Sequence, residues 1–299
     1  MPGPGPNTIQ LVGIAYGILF VIIGAFLWRS GRFSSSVKYA LLLVTILLGF
    51  TIFSPMLPFM FGELVADADS RVGATLLGAA FGMVTFFVLT FLFGRHFCGY
   101  LCPIGAVQEV AYLVPAPKVR LPWKVLPPIV RAVVFLLILG AGLISSISLM
   151  QYLGIRQFFT LTVSAGFLVF SGLVIISLFF YRPFCRFICP LGAIFQVFAT
   201  PARWKIRRTD ACIECGKCEE VCPTSEAGRE DSKSECYLCR RCINVCPVGG
   251  HWYTSLSNEV EDWLDRVIQK DSSHPFWNTT TNHIGDKTRA NTVISREKR

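Results

Sequence analysis

Histidine and acidic residues are scarce in this 299-residue chain, which has 4 His and 19 Asp or Glu against 28 Lys or Arg. All four His lie outside the long apolar stretches, at His96, His251, His274 and His283. A haem held by two His between membrane helices is therefore not expected. The chain also shows no Gly-rich phosphate-binding loop and no catalytic triad, which disfavours a nucleotide-dependent or hydrolytic enzyme.

Charged residues are absent from five long stretches of a chain that is 53% hydrophobic. Each stretch is long enough to cross about 30 Å of hydrocarbon as a helix, so the sequence predicts an all-α integral membrane bundle of five helices. The first stretch follows no basic segment and precedes no cleavage site, so it is expected to be a retained helix rather than a signal peptide. The stretches are Thr8–Trp28, Tyr39–Gly62, Val72–Gly94, Ala132–Ile155 and Gln157–Tyr181.

Basic residues are distributed unevenly between these stretches. Lys and Arg are frequent after the first, third and fifth stretches, whereas the opposite side has only Arg71 and Arg156. Because basic loops stay in the cytoplasm, we expect a multi-pass protein of the inner membrane with its N-terminus outside. Most of the formal net charge of +9 belongs to these basic loops, which would face the membrane lipid. No nucleic-acid partner is therefore expected.

Two Cys runs near the C-terminus have the spacing of bacterial [4Fe–4S] ligand runs. In such runs the fourth Cys, which precedes Pro, binds the other cluster. One predicted cluster is held by Cys212, Cys215, Cys218 and Cys246, and the second by Cys236, Cys239, Cys242 and Cys222. A zinc or disulfide framework is disfavoured because zinc sites use two Cys pairs. The segment resembles a two-cluster bacterial ferredoxin, which implies an α+β domain over residues 209–254.

The other four Cys belong to a motif that occurs twice, as Arg95–Ala106 and Arg182–Ala193, with seven identical positions at an offset of 87. Each copy ends a pair of apolar stretches, so residues 38–208 are predicted to be a duplicated helix pair, preceded by an additional helix over 1–37. The Cys-x3-Cys spacing would place both thiols on one face of a helix that Pro ends. Three interpretations are open for these Cys: a third iron–sulfur centre, a dithiol–disulfide redox pair, or a structural role. They are Cys98, Cys102, Cys185 and Cys189.

The two Cys-x3-Cys-Pro motifs followed by two ferredoxin runs resemble the NapH/MauN group of membrane-bound ferredoxin-type proteins. The membrane part is also similar to NosR-type proteins, and the resemblance covers roughly residues 38–250. It implies a non-catalytic subunit that relays electrons between the quinone pool and a partner oxidoreductase. Two alternatives are an electron donor for the maturation of another protein's cofactor and a redox-sensing regulator.

Polar residues near the ends of the apolar stretches are the candidate quinone contacts, although each is more often a solvated or interfacial residue. They are Gln108, Glu109 and Gln196 near the inner end, and Gln151, Tyr152 and Arg156 near the outer end. In the C-terminal part, residues 255–299, apolar spacing predicts an amphipathic helix over Ser257–Lys270 followed by a polar tail.

Overall fold

The computed structural model describes residues 6–52, 61, 74–119, 123–145, 149–209 and 211–255 of the chain. The helix expected over Ser257–Lys270 and the polar tail lie outside these residues. The described residues up to Tyr253 belong to one compact unit, and a second unit begins at Thr254. The first unit is mostly helical, as the sequence predicts.

Among the described residues, four helices have 18 to 24 residues, and all four are apolar. They are α1 (Pro6–Arg29), α2 (Ser35–Ile52), α3 (Ala74–Phe93) and α5 (Leu126–Ser145). Within the described ranges, only Leu126–Ile144 in α5 is both long and apolar enough to cross a membrane, while other apolar helical segments have 10 to 17 residues. A bundle of five membrane-spanning helices therefore stays a prediction.

The fourth apolar stretch, Ala132–Ile155, is not a single helix. Helix α5 starts earlier, at Leu126, because Pro127 and Pro128 fit the first turn of a helix, where no amide hydrogen bond is lost. After α5 come two short helices, α6 (Leu149–Tyr152) and α7 (Ile155–Phe159), and Gly154 between them has a φ of 68°. The expectation of one continuous helix here was wrong.

The fifth stretch, Gln157–Tyr181, is also interrupted. Helix α8 (Ala165–Ile176) begins where the side chain of Ser164 accepts a hydrogen bond from the amide of Phe167, at 3.2 Å. Hydroxyl side chains before it bond locally instead of continuing the helix. With 12 residues, α8 is about 18 Å long, too short to cross a bilayer of about 30 Å alone.

Gly154 allows α7 and α8 to pack closely, and replacing it should be costly. A Cβ at this position would lie 1.8 Å from the carbonyl oxygen of Gly166. We expect Gly154→Ala to lower the free energy of unfolding by about 2–5 kcal/mol, through left-handed strain and overpacking. Thermal and chemical unfolding of the purified protein would measure it.

The matched control is Gly140→Ala in α5, where an added Cβ meets nothing within 4 Å. That change should be neutral or stabilise the helix by up to about 1 kcal/mol. Equal stability of the two variants would contradict the close packing of α7 on α8.

The two motif copies fold alike. Each contains a five-residue π-helix, π1 (Phe97–Leu101) or π2 (Phe184–Ile188), followed by an α-helix, α4 (Pro103–Ala111) or α9 (Pro190–Ala199). Helix α2 packs on α4 as α5 packs on α9. The duplication seen in the sequence thus recurs in the packing.

The remaining elements come from the segment with the two Cys runs. Strands β1 (Trp204–Arg208) and β2 (His251–Ser255) pair in a two-stranded sheet. Between them lie two short helices that pack on each other, α10 (Lys217–Val221) and α11 (Arg241–Val245). Strand β1 starts at Trp204, before the predicted domain start at residue 209.

Candidate iron–sulfur sites

Four Cys residues that precede Pro share one backbone conformation. Their φ angles lie between −76° and −62° and their ψ angles between 113° and 117°. Proline disfavours the α conformation in the residue before it, so each Cys ends one helical turn in an extended state. The four are Cys102, Cys189, Cys222 and Cys246.

This geometry corrects one expectation. Cys98 and Cys102 do not occupy successive turns of one α-helix, because the amide of Cys102 donates to the carbonyl of Phe97, five residues back, at 2.9 Å. Cys189 donates to Phe184 in the same way, also at 2.9 Å. Proline therefore starts the following helix as well as ending the π-helix, and the second Cys of each motif stands at the corner between them.

Three cavities are each lined by four Cys side chains. We call them the repeat cavity, the inner cavity and the outer cavity. The repeat cavity is lined by Cys98, Cys102, Cys185 and Cys189, the inner by Cys222, Cys236, Cys239 and Cys242, and the outer by Cys212, Cys215, Cys218 and Cys246.

The thiols stand on cavity walls rather than around a single point. Among the described residues, no three His, Cys, Asp or Glu side chains converge closely enough to hold one metal ion. A mononuclear zinc site needs four ligands at about 2.0–2.3 Å from one ion, whereas a cubane takes its four thiolates at separate irons. The four-Cys walls therefore fit an iron–sulfur cluster in ligand type and number.

Backbone amides donate hydrogen bonds to two of the Cys sulfurs in these cavities. The amide of Glu226 donates to Sγ of Cys222 at 3.3 Å, and the amide of Gly250 donates to Sγ of Cys246 at 3.1 Å. Both donors lie four residues after the Cys that accepts. Hydrogen bonds to cluster sulfurs are one of the means by which proteins set reduction potentials.

Burial disfavours the free thiolate at one Cys of the repeat cavity and at one Cys of the inner cavity. It raises the pKa of the Cys185 thiol to about 12, although Arg182 lies near, and raises that of Cys236 to about 12 as well. Such thiols are neutral at physiological pH unless bound metal supplies compensating positive charge.

Three buried Arg side chains surround the repeat cavity. Arg182 donates through Nη1 to the carbonyl of Cys98 and through Nη2 to that of Gly99, the latter at 2.9 Å. Arg131 donates to the carbonyl of Cys185 at 3.3 Å. Arg95 lines the cavity itself. Guanidinium groups therefore donate hydrogen bonds to the backbone carbonyls of two of the four Cys, Cys98 and Cys185.

Two buried carboxylates hold these Arg side chains in place. Glu235 accepts from Arg95 at 3.1 Å and from Arg131 at 2.5 Å. Burial lowers the pKa of Arg95, but the negative groups around it, with Glu235 the strongest, together raise that pKa above its usual range, so the guanidinium stays charged. Because Glu235 directly precedes Cys236, the second Cys run is attached to the repeat motifs at this point.

Glu109 forms the second buried cluster of charges. Its carboxylate accepts from Lys38 at 2.7 Å, Arg241 at 3.0 Å and Arg182 at 3.2 Å. Burial raises the pKa of Glu109, yet the three cations together bring it well below its usual range. Through Arg241, this cluster also reaches the second Cys run.

Two of the three inner quinone candidates are not solvated, and the third, Gln196, is partly buried. Gln108 and Glu109 are fully buried. Gln108 accepts from the amide of Phe184 at 3.0 Å and lies 3.7 Å from Sγ of Cys185, and Gln196 accepts from Arg131. The outer candidates Gln151, Tyr152 and Arg156 are exposed.

The sequence analysis did not identify several residues that lie at these sites. Arg95 and Arg182 could have been recognised, because they are the identical first residues of the two motif copies. Glu235 and Tyr237 flank Cys236, but nothing in the sequence indicates that they reach the repeat motifs.

Family models match three segments of the chain. One model described as a 4Fe-4S binding domain matches residues 75–122 and 162–209, which enclose the two repeat motifs. A second model with the same description matches residues 206–225, which include the first Cys run. Three segments of the chain are therefore similar to 4Fe–4S binding domains.

Several characterised or named proteins are similar to part of the chain. YccM of Escherichia coli, whose name gives it a provisional role as an electron transport protein, is 30% identical over 162 residues, 48% of this chain and 45% of YccM. The ferredoxin-type protein MauN of Methylobacillus flagellatus, named for methylamine utilization, is 29% identical over 146 residues, 44% of this chain and 50% of MauN. The regulatory protein NosR of Pseudomonas aeruginosa is 29% identical over 150 residues, 44% of this chain and 20% of NosR.

The chain is thus a homologue of the MauN-type ferredoxin-type proteins and of NosR, which confirms the resemblance seen in its motifs. It spans less than two thirds of the length of the curated relatives it matches. No solved structure is significantly similar to the chain.

Proposed function

We propose that this chain is a membrane-bound electron-transfer subunit that holds three iron–sulfur centres and relays electrons between the quinone pool and a partner oxidoreductase. The observation that carries the proposal is the set of three cavities, each with four Cys on its wall. The names of YccM, an electron transport protein, and of MauN, a ferredoxin-type protein, support a role in electron transport.

In this proposal the Cys residues bind and the surrounding side chains adjust the sites. The inner and outer cavities would each hold a [4Fe–4S] cluster through the four thiolates predicted for it. The repeat cavity would hold a third through two Cys from each motif copy. Such clusters supply one-electron redox chemistry when bound. The chain's own groups donate hydrogen bonds to sulfur and carbonyl atoms and exclude water.

Buried charge favours a metal centre in the repeat cavity over a dithiol pair or a structural role. The ion pairs of Glu109 and Glu235 bring together five cations and two carboxylates, an excess of three positive charges. Arg95, Arg131 and Arg182 lie at the repeat cavity, whereas Arg241 lines the inner cavity. Buried unpaired charge is costly. Neutral thiols or a disulfide would not offset the excess, whereas a cubane bound by four thiolates carries net negative charge. The cations are Lys38, Arg95, Arg131, Arg182 and Arg241.

Apolar side chains on the outer faces of the long helices support the membrane location. Large hydrophobic residues that are more than half exposed occur on α1, α2, α3 and α5. Soluble monomers rarely expose contiguous apolar surface of this kind. Examples are Leu19, Leu43, Val88 and Leu136. With the bias in basic residues, this supports a cytoplasmic ferredoxin part and an N-terminus outside.

Iron analysis tests the proposal. We expect about twelve irons per intact chain, and about eight after Cys98, Cys102, Cys185 and Cys189 are all replaced by Ala, since each cubane contains four. Iron and acid-labile sulfide should fall together. A wild-type chain with about eight irons that the fourfold variant retains would exclude the third centre.

A redox-sensing regulator is the second candidate, favoured by the similarity to NosR, which is named a regulatory protein. A regulator that switches through the repeat motifs needs thiols that alternate between dithiol and disulfide. Iron would then be absent from the repeat cavity, and thiol labelling of these four Cys would change with the redox state. The iron analysis therefore distinguishes the two candidates.

A further inference from the structure

The first motif copy and the second Cys run touch through their backbones. A Cβ on Gly99 would lie 2.6 Å from the carbonyl oxygen of Tyr237. No ordinary side chain permits this approach, so the contact depends on glycine. Gly99 directly follows Cys98, and Tyr237 directly follows Cys236. A wall residue of the repeat cavity and a wall residue of the inner cavity are thus each one peptide bond from the contact.

The side chain of Tyr237 lies on the wall of both the repeat cavity and the inner cavity. Its hydroxyl accepts from Arg95 at 2.9 Å, and its ring lies under the guanidinium of Arg182, with 4.9 Å from Cζ to the ring centroid. Tyr237 is fully buried. One fixed aromatic ring therefore separates the two cavities.

The second motif copy also reaches the inner cavity. The position equivalent to Gly99 is Arg186, which donates to the carbonyl of Pro223 at 3.3 Å. Pro223 follows Cys222, the fourth Cys of the inner cavity. Both motif copies therefore contact residues next to inner-cavity Cys, although they use different groups to do so.

The outer cavity is placed differently. Among the described residues, its wall includes none from the two motif copies, and it shares His251 with the inner cavity. Its Cys215 is exposed. The outer cavity is thus linked to the inner one and open to solvent.

We infer that the three centres lie in series, in the order repeat, inner, outer, and that the contact between Gly99 and Tyr237 is the junction between the first two. The inference rests on the proposed function. Electron tunnelling slows steeply with distance, so the close backbone approach would favour this junction over any other route from the repeat cavity. In each transfer a reduced centre loses one electron and its oxidised neighbour gains it, so no bond or proton moves. The centre in the outer cavity, where Cys215 is exposed, would exchange electrons with a soluble redox partner.

Paramagnetic resonance of the purified full-length protein, reduced with dithionite, tests the order. Neighbouring reduced centres split each other's signals. We expect Cys236→Ala, which disrupts the inner cavity, to abolish the splitting of the repeat centre. Cys246→Ala, which disrupts the outer cavity, should leave that splitting in place. The opposite pattern would overturn the order.

The junction is tested by Gly99→Ala, whose new methyl group must push the two backbones apart. We expect weaker splitting between the repeat and inner centres at unchanged iron content. Gly172→Ala is the matched control, because an added Cβ there meets nothing within 4 Å. If Gly99→Ala does not fold, Tyr237→Leu, which removes the ring and its bond to Arg95, decides instead.

The outcomes separate this inference from the proposed function. About eight irons in the wild-type chain would mean that the third centre is absent, and the proposed function itself would fail. About twelve irons, with splitting unchanged in Gly99→Ala and Tyr237→Leu, would overturn the junction alone.

Discussion

Replacing Glu109 by Gln is expected to lower the free energy of unfolding by about 3–5 kcal/mol, the usual cost of removing one partner from a buried ion pair. Glu109 is fully buried and binds Lys38, Arg182 and Arg241. Gln has nearly the same shape, so the change removes charge while leaving volume alone. The three cations would then be buried with no carboxylate between them.

Chemical unfolding of the purified protein measures this effect, and Lys124→Gln provides the control. Lys124 pairs with Asp231 at 2.8 Å, but its side chain is 56% exposed. Losing an exposed pair of this kind costs about 0–1 kcal/mol. If Glu109→Gln cost no more than the control, water would have to reach Glu109, and its predicted role as the centre of a buried cluster would be wrong.

Replacing Cys246 by Ala is expected to remove the outer centre, and with it about four irons, even though Cys246 belongs to the second Cys run. The reason is that Cys246 stands on the wall of the outer cavity with Cys212, Cys215 and Cys218. The spectrum lost in Cys246→Ala should match the one lost in Cys212→Ala.

The reciprocal pair serves as the control. Cys222 belongs to the first run but lines the inner cavity, so Cys222→Ala should remove the same spectrum as Cys236→Ala. If each variant instead removed the centre of its own run, the ligands would not cross, and both ferredoxin assignments would need revision.

Local sequence carried much of the prediction for the Cys residues. Spacing and Pro determine the backbone at Cys102, Cys189, Cys222 and Cys246, and the Cys sets predicted for the two ferredoxin clusters are those that line the inner and outer cavities. Ligation itself stays a prediction. The π-helical turn was missed because the motif spacing also suits an α-helix, and only the pre-proline conformation distinguishes the two.

The buried charges could not be predicted in this way. Lys38, Arg95 and Arg131 were counted as loop charges that set the orientation, yet all three are buried. Their partners Glu109 and Glu235 lie between 71 and 140 residues away along the chain. No periodicity or spacing reports a contact over such a separation. The same holds for the helix breaks near Gly154 and Ser164, because an apolar stretch gives no signal of where helix ends are capped.

The crossed arrangement of Cys residues has a consequence for how the protein is made. During synthesis the repeat cavity has its fourth thiol when Cys189 emerges, but the inner cavity must wait for Cys242 and the outer cavity for Cys246. A ribosome that stopped after Cys242 would leave the outer cavity with three thiols while the other two had four. A cluster could therefore load into the outer cavity only after translation of the whole second run, and the last cavity to gain its fourth thiol is the one with an exposed Cys.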